Sequence, residues 1–191
     1  QIERWNAVVK IARKTIPKIK YFHLTATAGS FYSEGIDANI MRLGLGLYGI
    51  NARENNQLPL QPVLEMKSII SGIKEIKKGD IVGYNLTFEA PRDMKIATVP
   101  VGYYEGVDRK LSNNGFFKIR DQYLPIIGRV SMNISIIDIS AIKEVKVEDQ
   151  VMVISADTDN KNSIQNIAIA CKTIPYEILI HLPQHIRRTV I

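Results

Sequence analysis

A tyrosine that a functional site could use stands in the sequence Gly102-Tyr103-Tyr104-Glu105-Gly106. The preceding residues 95–101 are mostly apolar, which predicts a strand. The two glycines permit a tight turn with unusual backbone angles. Such a turn would present Tyr103 at the end of the strand, where a site can use its phenol. A plain strand and turn with an aromatic residue at an interface explains the same residues, so other parts of the chain have to decide.

The bulk composition restricts the class of protein. The chain has 191 residues, 46% of them hydrophobic, enough for one large domain or for one domain and part of another. A net charge of +6 would suit nucleic acid or an anionic ligand, but lysines and arginines are scattered among acids and form no long basic run. Cys171 is the only cysteine, which excludes an internal disulfide and indicates a reducing compartment. His23, His181 and His185 lack metal-ligand spacing, so no metal site is predicted.

The first part of the chain has the rhythm of an α/β barrel. Apolar residues at positions 2, 5, 8, 9 and 12 share one helix face, and Pro17 ends that helix. Residues 21–24 and 40–43 are predicted to be short strands, each followed by a loop rich in small residues. In α/β barrels the loops after the strands carry the functional site.

The rhythm changes after the polar, proline-containing residues 51–62, where we place a domain boundary. Strands are then predicted at residues 63–76, 81–88, 95–101, 116–120, 123–130, 134–139 and 150–154. This pattern predicts an antiparallel β-domain. Ser163 is predicted to begin a helix that runs through Cys171, Pro175 starts a short helical turn, and residues 186–191 return to strand composition.

Four motifs together resemble the alanine racemase family, the fold-type III enzymes that use pyridoxal phosphate (PLP). They are Arg42-Leu43-Gly44 with Leu47-Tyr48-Gly49, the Gly102-to-Gly106 stretch, Gly128-Arg129-Val130-Ser131-Met132-Asn133, and Thr173-Ile174-Pro175-Tyr176-Glu177. Each motif alone is weak, but their order and spacing together are a strong signal. The resemblance covers the whole chain and the C-terminal half of the family's length. It implies an α/β plus β fold: residues 1–52 form the C-terminal portion of a TIM-like barrel, and residues 53–191 form a mostly antiparallel β-domain.

The resemblance implies an isomerase that interconverts L- and D-alanine, the latter a peptidoglycan precursor. Two bases must exchange the Cα proton on opposite faces, and the motif match makes Tyr103 one of them. A free tyrosine titrates near pH 10, so a tyrosine base needs cationic neighbours that stabilise its phenolate. Arg42 is implied to donate to the pyridine nitrogen of PLP. Because a guanidinium is essentially never deprotonated, that nitrogen would stay unprotonated, which favours racemisation over transamination.

The resemblance also implies the residues that bind the phosphate of PLP. Thr27 stands where the family has a phosphate-binding serine, and its hydroxyl can take the same role. The amides of Gly44 and Leu45 are the expected companions, since small residues let a phosphate approach the main chain. Taken alone, Thr27 is equally well explained as an ordinary loop hydroxyl.

Four further residues are implied to meet the substrate. Met132 matches a residue whose main-chain amide contacts the substrate carboxylate, and Arg129 matches a residue of the substrate corridor. Asn133 replaces the family's usual aspartate. Gln184 lies where alanine racemases often have a tyrosine facing the substrate, and a smaller polar group there could admit a hydroxymethyl side chain. That resembles the serine/alanine racemase domains of VanT-type vancomycin-resistance proteins.

The family's Schiff-base lysine motif is absent from the chain, together with the first barrel strands. We therefore predict that the isolated chain does not racemise amino acids. The resemblance further implies a homodimer with active sites shared between the subunits, and cytoplasmic chemistry. Whether a membrane domain lies upstream stays open.

Two other functions compete with this interpretation. The β-domain could be a non-catalytic module for an anionic partner, but the basic residues do not interleave with aromatics as stacking platforms for nucleic acid require. A decarboxylase of the related PLP class would need a cysteine-bearing motif. Cys171 is predicted to lie in a helix, which argues against that function.

Overall fold

The computed structural model describes residues 1–51 and 59–190, which form two compact units, Gln1–Val63 and Leu64–Ile191. The boundary predicted between residues 52 and 53 lies outside the described residues. One α-helix and short turns build the described part of the first unit, whereas antiparallel sheets dominate the second.

Helix α1, Ile2–Thr15, begins the first unit and ends just before Pro17, as predicted. Polar side chains fasten it to the loop at residues 35–37. The indole N–H of Trp5 donates to the carbonyl of Asp37 at 3.0 Å, and the side chain of Asn6 accepts from the N–H of Asp37 at 2.8 Å. Val9 is buried, but Val8 is 58% exposed. This chain therefore covers only part of the predicted apolar face.

The prediction of strands at residues 21–24 and 40–43 was wrong, since neither run forms a strand and the region has one isolated parallel bridge, between Ala26 and Arg42. The side chain of Asn39 accounts for the difference. It accepts from the N–H of Phe22 at 2.8 Å and donates to the carbonyl of Lys20 at 2.8 Å. Backbone groups that a strand ladder would use are thus bonded to a side chain. Two 3₁₀ turns, Ala28–Tyr32 and Leu45–Tyr48, complete the named elements of this unit.

The second unit confirms the predicted antiparallel β-domain. Its strands are β1 (Met66–Ile69), β2 (Gly72–Ile76), β3 (Ile81–Val82), β4 (Phe88–Glu89), β5 (Met94–Val99), β6 (Phe116–Ile119), β7 (Gln122–Pro125), β8 (Ser135–Asp138) and β9 (Gln150–Ile154). They form a four-stranded sheet in the order β1-β9-β6-β7, a three-stranded sheet in the order β2-β5-β8, and a ribbon of β3 and β4. Every pairing between these nine strands is antiparallel.

Two of the predicted strands are broken. The run at residues 63–76 divides because Ile70 donates to the carbonyl of Asp149, whereas Ser71 donates to that of Thr98. The chain changes sheets between these residues. The run at residues 81–88 is interrupted by a 3₁₀ turn, Tyr84–Leu86, in which Asn85 has a φ of +60°. The run predicted at residues 123–130 also ends early, at the end of β7.

The helices of the second unit follow their predicted caps. Helix α2, Ile164–Cys171, begins after Ser163, whose hydroxyl accepts from the N–H of Asn166 at 3.2 Å. Helix α3, Pro175–Ile180, has proline at its first turn. Residues 186–190 form no strand, contrary to prediction. Within the described ranges, 1–51 and 59–190, no helix is long and apolar enough to cross a membrane.

Strand β5 connects the core of the second unit to the tyrosine motif. It lies at the centre of the three-stranded sheet. Val99 and Val101 are each at most 1% exposed. Gly102 follows directly, so the motif leaves from a rigid part of the unit.

Candidate active site

Main-chain atoms hold the turn that carries Tyr103. The N–H of Tyr103 donates to the carbonyl of Ser131 at 3.0 Å, and the N–H of Tyr104 donates to the carbonyl of Met132 at 2.9 Å. A β-carbon on Gly102 would overlap both of these carbonyl oxygens. Gly102 has an extended backbone, so the close approach is what requires glycine there. The backbones of Tyr103 and Met132, two predicted site residues, are therefore fixed relative to each other.

Glu105 closes this turn and ties Asn133 to it. One carboxylate oxygen accepts from the N–H of Gly102 at 2.8 Å, and the other accepts from the side-chain amide of Asn133 at 2.8 Å. An aspartate at position 133 would instead face Glu105 with a like charge. The structure thus gives Asn133 a partner within the protein. Sequence reasoning missed the role of Glu105, although its spacing of three residues from Gly102 is that of a capping box.

The side chain of Tyr103 is accessible. It is 44% exposed, and Met132 beside the turn is 54% exposed. Within the described part of the chain, no hydrogen-bond partner is recorded for the Tyr103 hydroxyl. The phenol can therefore donate to, or accept from, a ligand or a partner protein.

Arg129 precedes this segment in a tightly held turn. Gly128 has a φ of +71°, and its N–H donates to the side chain of Asn113 at 2.6 Å. The next amide, that of Val130, donates to the hydroxyl of Ser112 at 3.0 Å. The Nε atom of Arg129 is buried and has no acceptor among the described residues. The residue as a whole is partly exposed, whereas Nε is shielded from solvent, so a ligand could reach other atoms of Arg129 but not this one.

Gln184 is exposed and lies in a segment that packs on the tyrosine turn. The ring of His185 stacks on the ring of Tyr104, with centroids 4.6 Å apart and an interplanar angle of 23°. A β-carbon on Gly106 would lie 3.0 Å from the carbonyl oxygen of His181, so the backbones also approach closely. The contacts of His181 and His185 therefore bring Gln184, which lies between them in the chain, near the turn that carries Tyr103.

Thr27 organises the candidate phosphate site of the first unit. Its side chain is 3% exposed, and its hydroxyl accepts from the N–H groups of Gly44 at 2.9 Å and Gly46 at 3.4 Å. With both lone pairs used, the hydroxyl hydrogen remains available to donate. The Gly44 amide was predicted to donate to the phosphate, but here it already donates to the hydroxyl of Thr27. The Leu45 amide has no acceptor recorded among the described residues.

Arg42 lies beside the same loop. Its N–H donates to the carbonyl of Thr25 at 3.1 Å, and it bridges to Ala26, the neighbour of Thr27. One guanidinium nitrogen donates to the carbonyl of Leu24 at 3.2 Å, and the side chain is otherwise exposed. The first unit therefore gathers a hydroxyl donor, a backbone amide and a guanidinium near one loop.

Cys171 offers no nucleophile. Burial raises the pKa of its thiol to about 11, and the nearby carboxylate of Asp108 acts in the same direction. The thiol therefore stays protonated at neutral pH.

Residues 63–190 match the family model described as alanine racemase, C-terminal domain. The alanine racemase of Lactobacillus acidophilus is 36% identical over 186 residues, which cover 93% of this chain and 48% of that protein. The chain spans about half the length of the curated relatives it matches.

Two solved structures have a similar fold. The alanine racemase of Bartonella henselae with covalently bound pyridoxal phosphate has a TM-score of 0.83 at 25% identity, over 99% of this chain and 51% of that one. The alanine racemase of Clostridium difficile in complex with cycloserine has a TM-score of 0.86 at 25% identity, over 96% of this chain and 49% of that one.

Proposed function

The chain belongs to the alanine racemase family, and from that premise we propose that it is the C-terminal portion of a PLP-dependent racemase that interconverts L- and D-alanine. The observation that carries the proposal is the turn from Gly102 to Gly106. It fixes the backbone of Tyr103 through the Ser131 and Met132 carbonyls and leaves the phenol accessible. It also lies inside the stretch that matches the family.

Tyr103 removes or returns the Cα proton on one face of the amino acid. PLP, when bound, supplies the electron-withdrawing ring that makes this proton acidic. Racemisation needs a base on each face, and the second base is a lysine from the barrel portion that this chain does not include. Met132 and Arg129 orient the substrate, since the exposed Met132 adjoins the turn and the partly exposed Arg129 is held between the bonded amides of Gly128 and Val130.

The first unit supplies donors that fit PLP. A phosphate accepts hydrogen bonds only, and Thr27 has just a hydrogen left to offer after its oxygen accepts from Gly44 and Gly46. The amide of Leu45 adds a second donor. Arg42 donates to the ring nitrogen and cannot accept its proton, which keeps that nitrogen unprotonated. The Bartonella henselae structure with bound pyridoxal phosphate supports this cofactor.

The functional form that we propose is a homodimer in the cytoplasm. In this proposal the β-domain of one subunit lies over the barrel of the other, so Tyr103 would serve the cofactor of its partner.

Serine is a second proposed substrate. Gln184 stands where alanine racemases often have a tyrosine, and its smaller polar side chain leaves room for a hydroxymethyl group. A Gln184→Tyr variant of an active enzyme is expected to lose activity on L-serine more than on L-alanine. A wild-type enzyme that turns over L-alanine far better than L-serine would contradict this part of the proposal.

A chimera tests the central proposal. The N-terminal half of the Lactobacillus acidophilus relative, followed by this chain, should form D-alanine from L-alanine in the presence of PLP. Tyr103→Phe is expected to lower kcat/KM at least about 100-fold, because a positioned proton donor or acceptor contributes on that order. Tyr84→Phe is the matched control, since Tyr84 is also exposed in the second unit. Equal activity of the two variants would remove Tyr103 from the mechanism.

The isolated chain provides the complementary test. Incubation with PLP, borohydride reduction and peptide mass mapping should give no stoichiometric adduct on a single lysine, and the chain should form no D-alanine. A stoichiometric adduct, or measurable racemisation, would mean that the chain contains its own anchor.

A further inference from the structure

The stack between Tyr104 and His185 joins the immediate neighbours of two proposed site residues. Tyr104 follows Tyr103, and His185 follows Gln184. The two rings lie 4.6 Å apart at 23°, close to the parallel arrangement in which aromatic rings attract each other. Tyr104 is 56% exposed and would be free to rotate without this contact. The stack therefore restricts a segment on each side of the proposed site.

Residues 181–188, here called the C-terminal segment, need such a contact. The last helix ends at Ile180, and no strand includes these residues. Gly106 supplies one close contact, since a β-carbon there would lie 3.0 Å from the carbonyl oxygen of His181. The same β-carbon would lie 3.3 Å from the Cα of Leu182, so this contact holds the segment up to two residues before Gln184. The ring stack holds the part that includes Gln184.

We propose that Tyr104 and His185 form a positioning pair that holds Gln184 beside the turn of Tyr103. The pair acts through its neighbours and touches no substrate. The importance of Gln184 for substrate choice rests on the proposed function, whereas the pair itself is a property of the second unit. It also gives the exposed ring at position 104 a role within the second unit.

Nuclear magnetic resonance of the 191-residue chain tests the pair without cofactor or turnover. Tyr104→Leu removes the ring, and Tyr104→Phe keeps it. The ring protons of His185 should lose their ring-current shift in Tyr104→Leu, and the side-chain amide resonance of Gln184 should move. The heteronuclear Overhauser effect of the amides in residues 184–188 should fall, because the segment loses a contact that restricts its motion. Tyr104→Phe should reproduce the wild-type spectrum.

Two comparisons make the result decisive. Tyr84→Leu removes a tyrosine that is 67% exposed in the same unit and should leave Gln184 unchanged. Unaltered methyl resonances of the buried residue Ile137 establish that each variant is folded. If Gln184 and its neighbours do not respond to Tyr104→Leu, or if Tyr104→Phe has the same effect as Tyr104→Leu, the positioning pair is refuted. An inactive chimera, in contrast, would count against the proposed function alone.

Discussion

The two units hold their candidate site residues by opposite means. In the first unit a side chain holds the backbone, because the hydroxyl of Thr27 gathers the amides of Gly44 and Gly46. In the second unit the backbone holds the side chain, because two carbonyls fix the turn that carries Tyr103. The first arrangement depends on which atoms one side chain offers. The second depends on space at Gly102, where no side chain fits.

The chain carries a natural reporter in each unit, so the two arrangements can be compared in one protein. Trp5, the only tryptophan, lies in helix α1 and bonds to the carbonyl of Asp37. Its fluorescence follows unfolding of the first unit. Cys171, the only cysteine, is fully buried in the second unit, and its reaction with a thiol reagent follows unfolding there.

The largest effect is expected from Gly102→Ala. Its β-carbon would overlap the carbonyl oxygens of Ser131 and Met132, which the backbone cannot relieve without moving the turn. We expect the free energy of unfolding of the second unit to fall by about 3 kcal/mol. Urea unfolding followed by labelling of Cys171 measures the loss.

Gly72→Ala is the matched control, because a β-carbon at Gly72 meets no atom within 4 Å. It should be neutral or slightly stabilising. If both variants lose the same stability, close approach is not what fixes the tyrosine turn.

Thr27→Val tests the first unit. The substitution keeps the shape of the side chain but removes the acceptor of two partly buried amides, which is expected to cost about 2 kcal/mol. Trp5 fluorescence during urea unfolding should shift to lower urea, while labelling of Cys171 should not. Thr27→Ser keeps the oxygen and should behave nearly as wild type. Equal stabilities of the valine and serine variants would show that packing, and not the hydroxyl, organises this loop.

Asn133→Asp tests whether the side chain of Asn133 also stabilises the turn that carries Tyr103. It replaces a donor 2.8 Å from Glu105 with a carboxylate, at an expected cost of about 1.5 kcal/mol at pH 7. Repulsion raises the carboxyl pKa values in the folded state, so the penalty should disappear as the pH falls through the carboxyl range. Asn133→Ala removes the donor without adding charge, so its penalty at pH 7 should be smaller than that of Asn133→Asp. Equal losses in the two variants at pH 7 would contradict the explanation by like-charge repulsion.

The smallest effect concerns alkaline pH and only the second unit. Burial raises the pKa of Cys171 to about 11 in the folded protein, so the unfolded chain loses the thiol proton first. The stabilising contribution is complete below the ordinary thiol pKa and is lost as the pH rises toward about 11. Urea unfolding followed by circular dichroism, a signal that Cys171→Ala retains, should show a loss of about 1 kcal/mol by pH 10 relative to that variant. Since Trp5 reports the first unit, a matching shift in its fluorescence would contradict this assignment.

Local patterns predicted part of the fold. Ser163 and Pro175 correctly predicted the starts of helices α2 and α3. Strand β9 formed at the predicted residues. The break at Ile70 was missed because a continuous apolar run does not reveal where a chain changes sheets. The interruption near Asn85 depends on a positive φ at a residue that is not glycine.

The candidate site divides in the same way. The glycines around Tyr103 indicated a turn, and the small residues near Thr27 indicated a close backbone approach. The bond between Glu105 and Asn133 and the stack of Tyr104 on His185 join residues that are distant in sequence, and they follow from the folded structure alone. Position 133 shows the limit: its departure from the family pattern was visible, but its bond to Glu105 was not.

Carbonyl oxygens are the same in every residue type, so mutational drift at Ser131 and Met132 leaves the anchor of the tyrosine turn intact. A lineage can therefore exchange these side chains while it keeps the backbone geometry that presents Tyr103. A combinatorial library at positions 131, 132 and 184 would sample new specificities on a constant frame. Gly102 is the position that such a library must leave alone.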